Sequence, residues 1–214
     1  MPGKIADIRK TYSKKSLTEK SASADPIQQF TKWWKEALKS GIDEVNAMTL
    51  ATATAEGVPS GRIVLLKDYS PEGFVFFTNY GSAKSVEIAE NPKACLIFFW
   101  KELERQVRIT GMIEKIPEHE SEEYFHSRPW ESQVGAITSP QSKVIRNREW
   151  LQERYKTLSK KYKNKTVPRP EHWGGYVVKP AIVEFWQGRP GRLHDRLQYR
   201  LNEKAKWILE RLAP

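Results

Sequence analysis

Cysteine is almost missing from this sequence of 214 residues, in which Cys95 stands alone. A single cysteine excludes an intrachain disulfide, and the lack of disulfides is typical of reducing compartments, so we expect a cytoplasmic protein. Cys95 lies in the apolar run ACLIFFW. This run predicts a core thiol on a buried strand, because a reactive thiol needs positive neighbours and solvent access.

Apolar runs long enough to cross a membrane are missing as well. No stretch approaches the ~20 apolar residues of a transmembrane helix. The first fifteen residues, MPGKIADIRKTYSKK, also lack the apolar centre of a secretory signal. We therefore expect no membrane association.

Several motifs of catalytic and binding sites do not occur. Without HExxH, CxxC or a cluster of acidic residues at ligand spacing, we expect no metal site. Without GxGxxG or GxxxxGK[ST], a phosphate has no glycine-rich cradle and must be held by side chains. The lack of GxSxG removes the usual turn that presents a catalytic serine, although residue types alone do not exclude a hydrolase.

Positive charge is what the sequence has in excess, with 36 Lys and Arg against 26 Asp and Glu and a net charge of +10. Nucleic acid, a membrane surface or phosphorylated small molecules are the partners that fit such an excess. The basic residues are scattered over helices and strand ends and form no known nucleic-acid-binding module. The distribution therefore argues against nucleic acid.

The order of patterns predicts a mainly β fold with peripheral helices, namely a small barrel. Residues 1–24 are polar and predicted to be mobile, and residues 25–214 are predicted to form a single domain. Helices are predicted over 26–40 (capped by Asp25, with Ile27, Phe30, Trp34, Ala37 and Leu38 on one face), 82–91, 117–129 and 145–162. Strands are predicted over 48–55, 62–69, 74–80, 94–100 and 105–116, and again in YVVKPAIVEFWQG, RLHDRLQYR and KWILERL, with Pro180 marking a turn or an edge.

The segment GRLHDRLQYR near the end of the chain alternates apolar and charged residues. In a strand, side chains alternate between faces, so Arg192, His194 and Arg196 would share one face. Either this is a solvated edge or it holds an anionic ligand. Asp195 would point the other way and anchor a neighbouring arginine.

Other cations and amides lie at predicted strand and helix ends. Arg62 and Lys67 bracket the apolar strand RIVLLK, which suits a flat ligand that carries a phosphate but also a half-buried strand with solvated ends. The segment YFHSRPWESQ places Tyr124, Arg128 and Ser132 at a helix end. These three types can form a phosphate cup with charge-assisted hydrogen bonds, or simply cap a helix.

The succession RIVLLK, TNYGSAKS, LERQVRITG, YFHSRPWESQVGA, SPQS, WGGY, EFWQG, RLHDR and ERLAP resembles the pyridoxamine 5'-phosphate oxidase family from about residue 5 to the end. The resemblance implies an FMN-binding split β-barrel that forms a homodimer through its C-terminal region, with FMN at the subunit interface. It implies oxidation of pyridoxine 5'-phosphate or pyridoxamine 5'-phosphate to pyridoxal 5'-phosphate in vitamin B6 biosynthesis and salvage. Oxygen would accept the electrons to give H2O2, and the amine substrate would release NH3.

The resemblance also implies a set of site residues. Those matching the flavin site are Arg62, Ile63, Val64, Leu65, Leu66, Lys67, Phe77, Thr78, Lys84, Gln106, Gln141, Ser142, Trp186 and Arg196. Those matching the substrate site are Arg9, Lys10, Thr11, Tyr12, Lys67, Tyr124, Arg128, Ser132, Arg192, Leu193 and His194, of which Arg192 and His194 are the expected catalytic pair. The N-terminal residues of this set belong to a segment that can fold over the site.

One position departs from the family pattern. Where the family often has Gly-Ser-Arg-Lys, this chain has Gly81, Ser82, Ala83 and Lys84. A cation near the flavin phosphate is therefore missing, and we expect intact chemistry with weaker FMN binding.

Three alternatives are considered beside this one. A flavin-binding barrel with another activity, such as a reductase, would keep the flavin residues but not the phosphate cup together with RLHDR. A nucleic-acid-binding protein is suggested only by the net charge. A purely structural scaffold leaves the arginine and histidine pattern unexplained.

Overall fold

The computed structural model describes residues 4–8 and 10–214. Its helices are α1 (Pro26–Leu38), α2 (Ala83–Glu90), α3 (Glu118–Ser127), α4 (Trp130–Thr138) and α5 (Arg148–Tyr162). Its strands are β1 (Ala47–Ala53), β2 (Pro59–Leu65), β3 (Asp68–Ser70), β4 (Gly73–Asn79), β5 (Lys93–Trp100), β6 (Arg105–Lys115), β7 (Trp173–Gln187), β8 (Asp195–Leu201) and β9 (Trp207–Leu212). Short 3-10 helices cover Ile5–Asp7, Lys101–Leu103 and Pro190–Arg192. The predicted mainly β class with peripheral helices is confirmed.

The strands pair in the order β2-β1-β5-β6-β7-β4-β3, and β8 pairs with both β7 and β9. The pairs β3–β4, β4–β7, β7–β8 and β8–β9 are antiparallel. Within the described residues no helix is long and apolar enough to cross a membrane.

The chain divides into two compact units. The terminal unit comprises the residues up to 50 together with 95–111 and 180–214, and the central unit comprises 51–94 and 112–179. Both units are therefore assembled from segments that are distant in sequence, and β1, β5, β6 and β7 each contribute residues to both.

An aromatic cluster forms the core of the terminal unit. The Phe30 ring of α1 lies 5.3 Å from that of Phe98, and the Trp33 ring lies 5.2 Å from that of Phe185. The indole N–H of Trp100 donates to the Val45 carbonyl at 3.0 Å, so this large ring is buried without an unpaired polar group.

A second core lies in the central unit, where Phe125, Val134, Val167 and Trp173 are buried together. Aromatic residues of α3, α4 and α5 pack around this cluster. The core therefore fixes the turn between α3 and α4 beside Trp173, the first residue of β7.

Helix α1 begins as predicted but buries a different face. The Asp25 carboxylate accepts hydrogen bonds from the backbone N–H groups of Ile27 and Gln28, which confirms the cap. The buried positions are Pro26, Gln29, Phe30, Trp33 and Ala37. The predicted member Leu38 is 58% exposed, because the buried stripe runs through Trp33 rather than along Trp34 and Leu38.

One predicted strand boundary is wrong. The single strand predicted over 62–69 is interrupted at Leu66 and Lys67, where the Lys67 N–H donates to the Val75 carbonyl at 2.9 Å.

Pro180, predicted to mark a turn or an edge, lies inside the continuous strand β7 and not in a turn. It lies between the residues of β7 that pair with β4 (up to 178) and those that pair with β8 (from 182), so neither ladder needs the N–H that proline lacks.

The alternation inferred for GRLHDRLQYR holds only from Asp195 onward. Gly191 and Arg192 both have left-handed backbones, with φ of +64° and +63°, and close a 3-10 turn before β8 begins. Arg192 and His194 are therefore not in a strand, and the prediction that they share a strand face with Arg196 is wrong.

Two further features differ from prediction. Helix α4 was not predicted. Pro129, which was expected only to end the preceding helix, also stands directly before the first turn of a new one. Cys95 lies on the less buried face of β5 and is partly exposed, so its assignment to the core is wrong.

Candidate functional site

A cavity of about 880 Å³ lies within the central unit. It is bordered by β2, β4, the start of α2, the turn between α3 and α4, and the loop after α4. Its lining includes these predicted site residues: Arg62, Ile63, Val64, Leu65, Lys67, Phe77, Thr78, Lys84, Tyr124, Arg128, Ser132, Gln141 and Ser142. Leu66, predicted with them, is instead 4% exposed and belongs to the core.

One side of the cavity is formed by the first turn of α2, where Lys84 is 7% exposed. Its ammonium donates to the hydroxyls of Thr78, at 3.1 Å, and Ser82, at 3.0 Å. Burial lowers the pKa of Lys84, and the nearby positive charge of Arg62 lowers it further. A buried cation bonded to neutral hydroxyls is expected to gain much from an anionic ligand.

Arg62 is held beside Lys84 by a carboxylate that the sequence analysis missed. The guanidinium lies 3.1 Å from Glu87 and also donates to the hydroxyls of Thr52 and Ser60. Burial alone would raise the pKa of Glu87, but hydrogen bonds from Thr52, Ser60 and Arg62 lower it overall. The signal was present, since Glu87 follows Lys84 by three residues and so shares its helix face.

The α3–α4 turn borders the cavity with Tyr124 and Arg128. The Tyr124 ring stacks on Phe77, with centroids 3.9 Å apart, and the Arg128 guanidinium lies 4.7 Å from the centroid of Trp173. The Nη1 atom of Arg128 is buried, and no described residue accepts a hydrogen bond from it. Since buried donors are nearly always paired, this atom marks a place for an acceptor group.

The predicted residues of the terminal unit form a separate group around Trp186. The Trp186 ring lies 4.7 Å from His194 and 5.6 Å from Tyr12, and the Tyr12 and His194 rings are 5.9 Å apart. The Nδ1 atom of His194 accepts a hydrogen bond from the Arg189 N–H at 3.1 Å. Tyr12, from the predicted covering segment, thus contacts a predicted catalytic residue.

The remaining predicted residues are less enclosed. Arg192 is exposed, and so is Leu193 at 74%. Gln106 is partly exposed on β6. Lys10 and Thr11 are exposed, and Arg9 lies outside the described residues.

Arg196, on β8, is already paired within its own unit. It donates to Glu184 and to the Ala213 carbonyl, at 2.8 and 2.7 Å, and the Glu184 carboxylate raises its pKa. Asp195 lies 3.0 Å from Arg211 and 3.5 Å from Arg189, which confirms its predicted role as an arginine anchor.

Comparison with known proteins identifies a family for this chain. Residues 34–162 match the family model described as pyridoxamine 5'-phosphate oxidase, and residues 173–214 match the pyridoxine 5'-phosphate oxidase C-terminal dimerisation region. A pyridoxine/pyridoxamine 5'-phosphate oxidase from Gloeothece citriformis is 54% identical over all of both chains. One from Salinibacter ruber is 53% identical over 99% of both chains.

Solved structures share the fold. PhzG from Burkholderia lata, in complex with tetrahydrophenazine-1-carboxylic acid, has a TM-score of 0.88 and 28% identity and covers 94% of this chain and 100% of its own. A pyridoxamine 5'-phosphate oxidase-related, FMN-binding protein from Nostoc punctiforme has a TM-score of 0.69 and 16% identity, over 90% of this chain and 100% of its own. The predicted split-barrel class is confirmed.

Proposed function

This chain belongs to the pyridoxamine 5'-phosphate oxidase family, and we propose that it oxidises pyridoxine 5'-phosphate or pyridoxamine 5'-phosphate to pyridoxal 5'-phosphate with FMN as cofactor. The observation that carries the proposal is the cavity with the buried cation Lys84 and the buried Arg128 Nη1 atom, from which no described residue accepts a hydrogen bond. Cofactor and substrate each carry one phosphate, so two anion-binding groups beside one cavity fit this pair of ligands.

The residues present fit FMN. The cavity volume of about 880 Å³ falls within the roughly 300–1,000 Å³ of ligand pockets. Lys84 and Arg62 would hold the flavin phosphate, and the apolar residues of β2 would line the ring. The full proposed set is Arg62, Ile63, Val64, Leu65, Leu66, Lys67, Phe77, Thr78, Lys84, Gln106, Gln141, Ser142, Trp186 and Arg196.

The substrate phosphate would be held by Lys67, Tyr124, Arg128 and Ser132, which all line the cavity. Arg128 supplies the unpaired donor, and its contact with the Trp173 ring fixes its plane. The N-terminal residues Arg9, Lys10, Thr11 and Tyr12 and the turn residues Arg192, Leu193 and His194 complete the proposed substrate site.

Bound FMN would supply the hydride acceptor for oxidation at the C4' carbon of the substrate. His194 is suited to hold or move a proton, because its Nδ1 accepts from the Arg189 N–H and a neutral ring then carries its hydrogen on Nε2. Arg192 supplies a guanidinium with several fixed donors, so its role is to orient the anionic substrate.

The remaining parts of the proposal follow from the family. Oxygen accepts the electrons to give H2O2, and the amine substrate releases NH3. The match to a dimerisation region supports a homodimer, with FMN at the subunit interface. Residues 25–214 would act as one FMN-binding domain after the N-terminal segment, and a cytoplasmic location fits the single cysteine.

The direct test is anaerobic. The protein is purified with FMN, pyridoxine 5'-phosphate is added without oxygen, and the visible flavin band is recorded. Bleaching that air reverses, with pyridoxal 5'-phosphate formed, supports the oxidase. A bound flavin that stays oxidised moves the function to another flavin-dependent activity, and no flavin binding at all refutes the site.

Arginine at position 83 is expected to tighten FMN binding by about threefold to tenfold, because Ala83 lines the cavity beside Lys84 and a charge there would reach the phosphate. The dissociation constants of wild type and Ala83→Arg are compared by flavin fluorescence titration. Glu90→Gln, at the exposed far end of α2, adds the same net charge and should change nothing. Equal affinities of Ala83→Arg and wild type would show that no cation is missing here.

A further inference from the structure

The N-terminal residues 12–17, called the strap below, are fixed to the terminal unit by specific bonds. Leu17 is 3% exposed, and its N–H donates to Asp195 at 3.0 Å. The Lys15 carbonyl accepts from Arg189 at 3.3 Å. The strap is therefore anchored at its C-terminal end by the turn that carries His194.

The N-terminal half of the strap is held by one buried carboxylate, that of Glu104. The backbone N–H groups of Ser13 and Lys14 both donate to its Oε2 atom, at 2.8 and 3.0 Å, and the Glu104 side chain is 3% exposed. Its Oε1 atom lies 4.0 Å from the Lys10 ammonium. A buried carboxylate with two N–H donors is a strong, directional contact.

Glu104 occupies a backbone conformation that does not favour glutamate. Its φ is +56°, in the left-handed region that glycine and asparagine adopt most readily. Its carbonyl also accepts from the Gly188 N–H at 2.8 Å. A glutamate at a strained backbone position points to a role for its side chain.

The residue placed by this contact is Tyr12, which precedes Ser13 and packs against Trp186 and His194. The space for its ring depends on Gly188, where any Cβ atom would lie 2.7 Å from Tyr12 Cγ and 3.1 Å from Glu104 Cβ. Glu104, Gly188 and Tyr12 are thus fitted to one another.

We propose that Glu104 is a positioning residue, whose carboxylate holds the strap so that Tyr12 packs on His194 and is placed over the substrate. The proposal rests on the proposed function for the substrate, but the contact itself does not. The strap bonds exist within the protein alone and can be measured without turnover.

The test compares two replacements of Glu104 in the full chain with FMN. Glu104→Gly removes the carboxylate and relieves the backbone, whereas Glu104→Gln keeps an oxygen that can accept both N–H groups. Glu102→Gln, on the same turn with an exposed side chain, controls for the loss of charge. Glu104→Asn, which tolerates the left-handed backbone but is too short to reach, serves if the glycine variant does not fold.

Without substrate, the amides of Ser13 and Lys14 should exchange hydrogen at least tenfold faster in Glu104→Gly and near the wild-type rate in the two glutamine variants. With substrate, KM should rise at least tenfold in Glu104→Gly while kcat stays within about threefold and FMN affinity is unchanged. Unchanged exchange in Glu104→Gly, or faster exchange with an unchanged KM, overturns the proposal. Faster exchange in a protein that oxidises no substrate would uphold the contact and refute the proposed function instead.

Discussion

Replacing Lys84 by methionine is expected to weaken FMN binding about 10- to 150-fold while making the protein without FMN more stable. The loss follows from one charge-assisted hydrogen bond to the phosphate, worth about 1.5–3 kcal/mol. The gain in stability of the apoprotein follows from burial. The Lys84 ammonium is costly to desolvate, which is also why burial lowers its pKa. Flavin fluorescence titration and thermal unfolding of the apoprotein measure the two effects.

The same group sets a pH dependence. Because the pKa of Lys84 is lower in the folded than in the unfolded chain, the unfolded chain binds more protons between the two values. Stability of the apoprotein should therefore rise with pH in that window, and FMN affinity should fall as Lys84 loses its charge. Both trends should disappear in Lys84→Met.

Lys93→Met is the matched control, since this lysine is exposed at the start of β5 in the same unit. It should leave FMN affinity and both pH trends as they are. If Lys84→Met binds FMN as wild type does, the phosphate is held elsewhere and the proposed flavin site is wrong.

Alanine at position 192 or 194 should lower turnover or substrate affinity at least tenfold, a loss of about 1.4 kcal/mol. Removing the His194 ring takes away the Nε2 atom that would handle a proton and the surface against which Tyr12 packs. Removing the Arg192 guanidinium takes away a fixed charge that orients the substrate. We expect His194→Ala to act mainly on kcat and Arg192→Ala mainly on KM, in steady-state kinetics with pyridoxine 5'-phosphate.

Arg200→Ala provides the control for the arginine, because Arg200 is exposed on β8 and pairs with Glu210 at 3.4 Å. It removes the same charge from the same unit. If Arg192→Ala and His194→Ala both show kcat and KM values close to those of the wild type, the catalytic assignment of these two residues is wrong.

The sequence predicted which helices and strands form better than it predicted where they begin and end. Turn residues and alternation located most strands, but the break at Lys67 and the continuity of β7 through Pro180 depend on pairing with distant strands. The strand face assigned to Arg192 failed because left-handed backbones at 191 and 192 cannot be recognised from alternation.

For the site, the sequence identified most of the cavity residues but not their burial or their contacts. Resemblance to a family located the cavity residues, yet a lysine near the start of a helix is usually exposed, and only the fold buries Lys84. Glu104 was missed because the Ser13 and Lys14 amides that it binds lie 91 and 90 positions away in the chain.

The interleaving of the two units has a consequence for how the chain is made. Every segment of the central unit, up to residue 179, precedes β8 and β9 in the chain and is therefore synthesised before them. The terminal unit, by contrast, cannot be completed until Gly188, His194 and Asp195 have been made. The first-made residues of the strap must therefore wait for nearly the last-made ones, and a chain that ended before β8 would lack the Asp195 carboxylate that binds Leu17.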